Sequence, residues 1–251
     1  MTTMQPAWVL GRRNYGDNGL LVELFLADGG RSSAVAKGVF RRKVGGSLAS
    51  LLQPFHPLLV RLAGRGELKT LVAAESPTPA YVLRGDDLLS GLYLNELMIR
   101  VLPRFDPYPV VFMGYGDAIE SLQSGVGEIT LRRFELILLS ELGYRIDWWL
   151  DANQDPIQEP MDYLYHPSRG FMPVTSPQSV ATSDKRIPGG AIHAVISWLD
   201  DGAIPEKSEL HLVKDVTRTA IAQLTQGRSL NSRAIFRSLR RPPAPRPDRL
   251  P

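Results

Sequence analysis

The sequence predicts an α+β protein of several domains, in which a small five-stranded barrel precedes a mainly helical region and a small irregular C-terminal lobe. Up to residue 79, short runs of branched and aromatic residues alternate with turn sequences, whereas from Tyr81 onward apolar residues recur with the period of a helix. The chain is long enough, at 251 residues, to bury at least one sizeable core. Its 43% apolar content is that of a folded protein.

Five candidate strands make up the N-terminal section. Turn residues such as Asp28, Gly29 and Gly30 separate them. Five short strands at this spacing are typical of a closed Greek-key barrel, the OB-fold, which grips nucleic-acid strands in a positive groove. The predicted strands cover residues 8–10, 20–26, 33–36, 58–62 and 70–73.

The helical region is predicted from two sets of apolar residues at steps of three and four. They are Leu88, Leu89, Leu92, Tyr93, Leu97 and Leu102, and then Leu131, Phe134, Leu138 and Leu142. Residues 151–190 are rich in Pro, Asp and Ser and predict an irregular lobe, followed by helices over 207–226 and 230–241. We therefore expect domains at 1–79, 80–150 and 151–240, and a disordered Pro/Arg tail at 241–251.

The positive charge lies at the two ends of the chain. Residues 1–80 contain ten Lys and Arg against five acids, and residues 228–251 contain seven against one, while the middle is acidic. This separation predicts that a polyanion is held by the two ends.

One short stretch, "VAKGVFRRKVGGSLASLLQPF" at residues 35–55, concentrates four cations. A solvated charged loop is the alternative to a phosphate site, but the same section holds further cations with few acids between them, which favours phosphate contact. Phe40 and Phe55 are candidates for stacking on bases, although Phe55 fits a barrel core equally well. The predicted DNA contacts in this section are Lys37, Arg41, Arg42, Lys43, Arg12, Arg13, Arg31, Arg61 and Lys69.

A second group of cations lies near the C-terminus. Arg233, Arg237, Arg240 and Arg241 share one face of the predicted helix, where they would repel each other unless a polyanion is near. We interpret them as a second DNA contact. The alternative, a favourable interaction with the helix dipole, accounts only for Arg240 and Arg241.

Five blocks of sequence carry a resemblance to a known family. "VAKGVFRRK", "LQPFHPLLVRLAGRGELKTLVAAE", "GLYLNELMIRVLP", "LRRFELILLSELGY" and "RSLNSRAIF" resemble the bacterial recombination mediator RecO, in that order and over nearly the whole chain. The resemblance implies an N-terminal OB-fold, a central helical domain and a C-terminal lobe. It also implies binding of single- and double-stranded DNA, annealing of complementary strands and, with the partner RecR, loading of RecA on strands coated by single-strand-binding protein (SSB).

The resemblance also places a pocket for the SSB C-terminal tail in the helical domain. Arg132, Leu136 and Leu139 share one side of a helix and suit a peptide that ends in an aromatic residue and a carboxylate. The alternative is that both leucines are core residues and that Arg132 pairs with Glu135 or Glu128.

Many members of the family hold zinc in the C-terminal lobe through four cysteines. This chain has no cysteine, and His166, the one histidine in the corresponding stretch at residues 150–171, does not by itself make a structural zinc site. We therefore expect no zinc and no other cofactor.

Enzyme motifs are missing from the sequence. There is no phosphate-binding loop and no Gly-x-Ser-x-Gly elbow, and the acidic pairs at 86–87 and 200–201 flank predicted helices, where Asp is common. The prediction is a non-enzymatic DNA-binding protein without a small-molecule substrate. Its alternatives are a protein–protein adaptor that binds DNA weakly and a metal-dependent nuclease. The absence of a long apolar run and of a leader predicts a cytoplasmic protein. The expected DNA binding would make it nucleoid-associated.

Overall fold

The structure, a computed structural model, describes residues 3–43, 46–175, 185–202, 204–228 and 230–232. Its N-terminal part is a closed five-stranded barrel, as predicted. The strands are β1 Gln5–Tyr15, β2 Gly19–Leu26, β3 Gly30–Lys37, β6 Leu58–Ala63 and β7 Leu68–Glu75. Their order around the barrel is β1-β2-β3-β7-β6, and neighbouring strands are antiparallel except β3 and β7, which are parallel.

The connection from β3 to β6 contains a small hairpin and one turn of helix. The hairpin pairs β4, Arg42–Lys43, with β5, Gly46–Ser47, and the helix is α1, Leu48–Leu51. The cationic stretch of the sequence is therefore this connection.

The two faces of the barrel strands serve different cores. Leu20, Val22 and Leu24 fill the barrel interior, whereas Phe25 and Trp8 belong to the core of the helical region. Alternate residues of a strand point to opposite faces, so the same strands close the barrel and attach it to the helices.

The helical region has five helices among the described residues. They are α2 Gly85–Val101, α3 Pro109–Gln123, α4 Gly127–Glu141, α5 Gly189–Asp201 and α6 Lys207–Leu224. Between α4 and α5 lies a three-stranded sheet in the order β10-β8-β9, made of Asp162–His166 (β8), Gly170–Pro173 (β9) and Ile187–Pro188 (β10). All of them contribute to one continuous apolar core. The domain limits drawn from the sequence stay a prediction.

Three expectations about this region change or lie outside the structure. Leu88 and Leu92 were expected in the buried face of α2 but are 36% and 37% exposed, and α2 instead buries Leu94 and Met98. A period of three and four fits several faces of an apolar helix, and packing selects one of them. Residues 151–190, expected to be irregular, contain the small sheet. Most of the helix predicted at 230–241, and the tail, lie outside the described residues.

A cysteine zinc site is impossible in the C-terminal lobe, because the chain has no cysteine, and the expected absence of zinc stays a prediction. Aromatic packing joins this region instead: the ring centroids of Trp148 and Phe171 are 5.3 Å apart, and those of Tyr165 and Phe171 are 5.2 Å apart. In the part of the chain that the structure describes, no group of three or more His, Asp or Glu could hold a metal ion. Nor does any described helix have the length and apolar character needed to cross a membrane.

The last described residues fold back onto α2. Leu230 is buried in the helical core, and the Glu96 carboxylate accepts backbone N–H bonds from Asn231 and Ser232, both at 2.8 Å. The Ser232 hydroxyl donates a third bond to it at 2.7 Å. Burial opposes ionisation of Glu96, but these bonds and nearby Arg100 outweigh it and lower the pKa of this carboxyl.

Candidate nucleic-acid interface

Val39 is one of the buried side chains that anchor the cationic connection. Val39 is buried in the barrel core, and its N–H donates to the carbonyl of Asn18 in the β1–β2 turn at 3.3 Å. Its carbonyl accepts from the N–H of Ala49 in α1 at 3.0 Å, and Arg12 Nη1 donates to the Ala49 carbonyl at 2.9 Å. These bonds fix the β1–β2 turn, the connection and α1 against one another.

Four predicted cations meet at this end of the barrel. Arg12, Arg13, Lys37 and Arg41 are exposed, and we call this group the cationic barrel end. The strand register pairs Tyr15 with Gly19 and Gly19 with Lys37, so only β2 separates the end of β1 from the end of β3. Residues 31–66 contain no acid and the β1–β2 turn contains one, Asp17, so the four cations outnumber the acids at this end. A surface of this charge can hold phosphates.

Arg42 and Lys43 belong to the same connection. Their backbones form β4, which pairs with β5. Their side chains lie outside the described residues, so their role as DNA contacts stays a prediction.

Arg61 and Lys69 lie elsewhere on the barrel. The pairing of Gln5 with Val60 places Arg61 beyond the start of β1. Arg12 is seven residues further along this strand, or roughly 23 Å at the usual rise of a β-strand. Lys69 donates to the carbonyl of Gly64 and lies 5.2 Å from the ring centroid of Phe105, beside the α2–α3 connection. The structure does not bring these two cations into the cationic barrel end.

Arg31 corrects the sequence prediction. Its side chain is mostly buried and joins the barrel to the α2–α3 connection, with Nε donating to the Leu102 carbonyl at 2.9 Å and Nη1 to Glu23 at 3.3 Å. Arg104 binds the same Glu23 carboxylate at 3.4 Å. Burial and the charge of Arg104 lower the pKa of Arg31, although Glu23 acts in the opposite direction. A guanidinium held in this way is not free to contact DNA.

Arg132 and Leu139 also differ from the prediction. Arg132 is 5% exposed and Leu139 is buried in the helical core. Arg132 Nη1 donates to Glu135 at 2.7 Å, which is the pairing that the alternative interpretation expected. The fully buried Glu135 carboxylate also accepts from the hydroxyls of Tyr93 at 2.5 Å and Thr217 at 2.6 Å, so it links α2, α4 and α6.

Leu136, the third residue of the predicted peptide site, does reach a surface pocket. This pocket has a volume of about 340 Å³ and opens between α3, α4 and α5. Its walls are mainly apolar, and one cation, Arg145, contributes to them. The lining residues are Val110, Leu136, Ile137, Ser140, Glu141, Arg145, Ile146, Trp148, Trp149 and Leu199.

The structure changes the interpretation of the aromatic residues in and near the cationic connection. Phe55 is buried with a φ of 64° and packs against Gly91 of α2, where an added Cβ would lie 2.8 Å from its ring. It is therefore unavailable to a base. Sequence reasoning did not identify Tyr15, an exposed aromatic residue at the end of β1, as a candidate for contact with bases. Its only signal in the sequence is its position next to a turn.

The C-terminal cations Arg233, Arg237, Arg240 and Arg241 lie outside the described residues.

Comparison with known proteins gives matches over nearly the whole chain. The family model "Recombination protein O N terminal" matches residues 1–79, and "Recombination protein O C terminal" matches residues 83–233. The DNA repair protein RecO of Pectobacterium atrosepticum is 39% identical over 240 residues, which cover 94% of both chains. Its counterpart in Halorhodospira halophila is 37% identical over 238 residues, 94% of this chain and 97% of that one. The Escherichia coli protein is 38% identical over 240 residues, 94% and 95% of the two chains.

Proposed function

Because the chain belongs to the RecO family of DNA repair proteins, we propose that it is a non-enzymatic mediator that binds single- and double-stranded DNA and anneals complementary strands. With RecR it would help to load RecA on SSB-coated DNA during recombinational repair. The observation that supports this proposal most directly is the cationic barrel end, where Arg12, Arg13, Lys37 and Arg41 are exposed together.

Annealing requires two strands of like charge to approach each other. Cations at the barrel end neutralise phosphates on one strand and release its condensed counterions, which makes binding favourable and dependent on salt. The C-terminal arginines, predicted from the sequence as a second contact, would hold the other strand.

Binding to a labelled single-stranded oligonucleotide at several salt concentrations tests this function. Each phosphate contact with a single strand contributes about −0.7 to the slope of log K against log salt. Lys37→Ala/Arg41→Ala should therefore make the slope shallower by about 1.4, and adding Arg42→Ala and Lys43→Ala should roughly double this change.

A charge-matched control comes from the far part of the barrel. Arg61→Ala/Arg65→Ala also removes two positive charges from exposed positions. It should leave most of the slope of log K against log salt unchanged. If both pairs change the slope equally, the cations act only through net charge. A wild type that binds weakly with a shallow slope would support the adaptor function instead, and cleavage of the oligonucleotide in Mg²⁺ would indicate a nuclease.

The SSB tail is proposed to bind in the pocket beside Leu136. Its apolar walls suit an aromatic ring, and Arg145 can pair with a terminal carboxylate, which is the role first expected of Arg132. As in the sequence prediction, the peptide is held by an apolar surface and an arginine, but the arginine is Arg145 instead of Arg132.

Peptide binding distinguishes this pocket from a general apolar contact. Arg145→Ala should weaken binding of a peptide that carries the SSB C-terminal sequence by about tenfold or more, since charge-assisted hydrogen bonds contribute about 1.5–3 kcal/mol. Amidation of the terminal carboxylate should weaken binding to the wild type but not to Arg145→Ala. Unchanged affinity of Arg145→Ala for the free-acid peptide would contradict the assignment.

A further inference from the structure

Two aromatic rings are exposed at the cationic barrel end. Phe40 is 53% exposed and Tyr15 is 48% exposed, whereas Phe25 and Phe55 of the same barrel section are buried. Large apolar groups that stand together at a protein surface often mark binding sites. Here the exposed rings lie among exposed cations rather than on a neutral surface.

The backbone places the two residues at the same end of the barrel. Tyr15 is the last residue of β1 and pairs with Gly19, which pairs with Lys37, so the Cα atoms of Tyr15 and Lys37 are about two strand spacings, or roughly 10 Å, apart. Phe40 follows Val39, whose N–H is bonded to the carbonyl of Asn18 in the turn after Tyr15. Tyr15 and Phe40 therefore lie close in sequence to the two residues, Asn18 and Val39, whose hydrogen bond joins the turn to the connection.

The local conformation keeps Phe40 outside the barrel. Val39 fills the core from one side, and the N–H of Arg41 donates to the carbonyl of Gly38 at 3.3 Å, which closes a tight turn with Phe40 near its tip. Gly38 has a φ of 63°, a left-handed conformation that glycine adopts without strain. Turn tips usually carry small polar residues, so an exposed phenylalanine at this position needs another explanation.

We propose that Tyr15 and Phe40 form a stacking platform for the unpaired bases of single-stranded DNA, a site that rests on the proposed function and refines it. Lys37, Arg41 and the arginines of β1 hold the phosphates, and the rings take up the bases that the strand exposes. Stacking needs a free base face, so the platform favours single strands over duplex. Aromatic stacking tolerates every base, so the platform has little sequence preference.

The test separates the contribution of base stacking to affinity from that of phosphate contacts. Wild-type protein is titrated with an oligo-dT strand, with an abasic oligomer of the same number of phosphates, and with a duplex, each over a range of salt. The variants are Phe40→Ala, Phe40→Leu and Tyr15→Ala. The control is Tyr144→Ala, which removes a 41% exposed ring from the helical region. Thermal melting verifies that every variant folds.

We expect the wild type to bind oligo-dT at least about tenfold more tightly than the abasic oligomer, because stacking on an aromatic side chain contributes a factor of this order per base. Phe40→Ala and Tyr15→Ala should each lose about fivefold or more on oligo-dT while their affinity for the abasic oligomer and the duplex stays within twofold. The salt slope should not change, since the rings carry no charge. Phe40→Leu should behave like Phe40→Ala, because a leucine is apolar but cannot stack.

Three results would overturn the platform. Equal binding of the wild type to oligo-dT and the abasic oligomer, with a steep salt slope, would exclude base stacking and leave the proposed function standing. Equal losses of Phe40→Ala on both polymers would indicate that the ring only supports the loop. A wild type that binds neither polymer would refute the proposed function together with the platform.

Discussion

Replacement of Arg132 by methionine is expected to destabilise the protein by about 3–5 kcal/mol, the usual cost of removing one partner from a buried ion pair. Glu135 is fully buried and accepts its charge-assisted bond from Arg132 at 2.7 Å. The hydroxyls of Tyr93 and Thr217 would still donate to this carboxylate, but no cation would balance its charge. Urea unfolding of the wild type and the variant measures the loss.

Two further variants show whether the lost ion pair is the cause. Arg133→Met changes the neighbouring exposed arginine of α4 and should cost less than about 1 kcal/mol. Arg132→Met/Glu135→Leu removes both charges and should recover much of the stability, because a buried ion pair can often be replaced by apolar side chains. A loss below about 1 kcal/mol in Arg132→Met itself would mean that Glu135 does not depend on this guanidinium.

Substitution of Gly30 by alanine should have the second large effect, a loss of about 2–5 kcal/mol from backbone strain together with overpacking. Gly30 begins β3 with a φ of 62°, and an added Cβ would lie 2.1 Å from the carbonyl oxygen of Asp106. This is where the barrel meets the α2–α3 connection, so the methyl group would force the two apart. Urea unfolding measures the loss of stability.

Gly16 provides a matched control for this substitution. It also has a positive φ, 60°, but an added Cβ would meet no atom within 4 Å. Gly16→Ala should therefore cost only the strain, about 1 kcal/mol. If the two variants lose equal stability, the contact with Asp106 contributes nothing. Gly30→Ala should keep its salt-dependent DNA binding at temperatures where it is folded, since the cationic barrel end lies at the other ends of β2 and β3.

The barrel was the part of the fold that sequence reasoning predicted best. Runs of branched and aromatic residues between turn residues predicted all five of its strands, but not their limits, since β1 extends over Gln5–Tyr15 where the sequence predicted residues 8–10. Leu88 and Leu92 show where such patterns fail. They fit a helical period as well as Leu94 and Met98 do, and only the packing of α2 against its neighbours decides which face is buried.

Site residues were harder to predict because a cation looks the same in the sequence whatever its partner is. Arg31 and Lys37 both belong to β3, yet Arg31 donates to the Leu102 carbonyl, 71 residues away, while Lys37 faces solvent. Arg132 precedes Glu135 by one helical turn, so the sequence did allow their pairing as an alternative to a peptide site. Their burial was not predictable, because it depends on α6, which supplies Thr217 from 82 residues beyond Glu135. These contacts belong to the tertiary fold and leave no local signal.

The Glu96 contacts with Asn231 and Ser232 have a consequence for how the protein is made. A ribosome completes the barrel strands long before it reaches these residues, which follow Glu96 by 135 and 136 positions. The barrel can close during translation, because its pairings lie within residues 5–75. The helical region lacks these three hydrogen bonds to Glu96 until Asn231 and Ser232 have been made. In a newly made chain the barrel pairings can therefore form before the contacts that Asn231 and Ser232 make with Glu96.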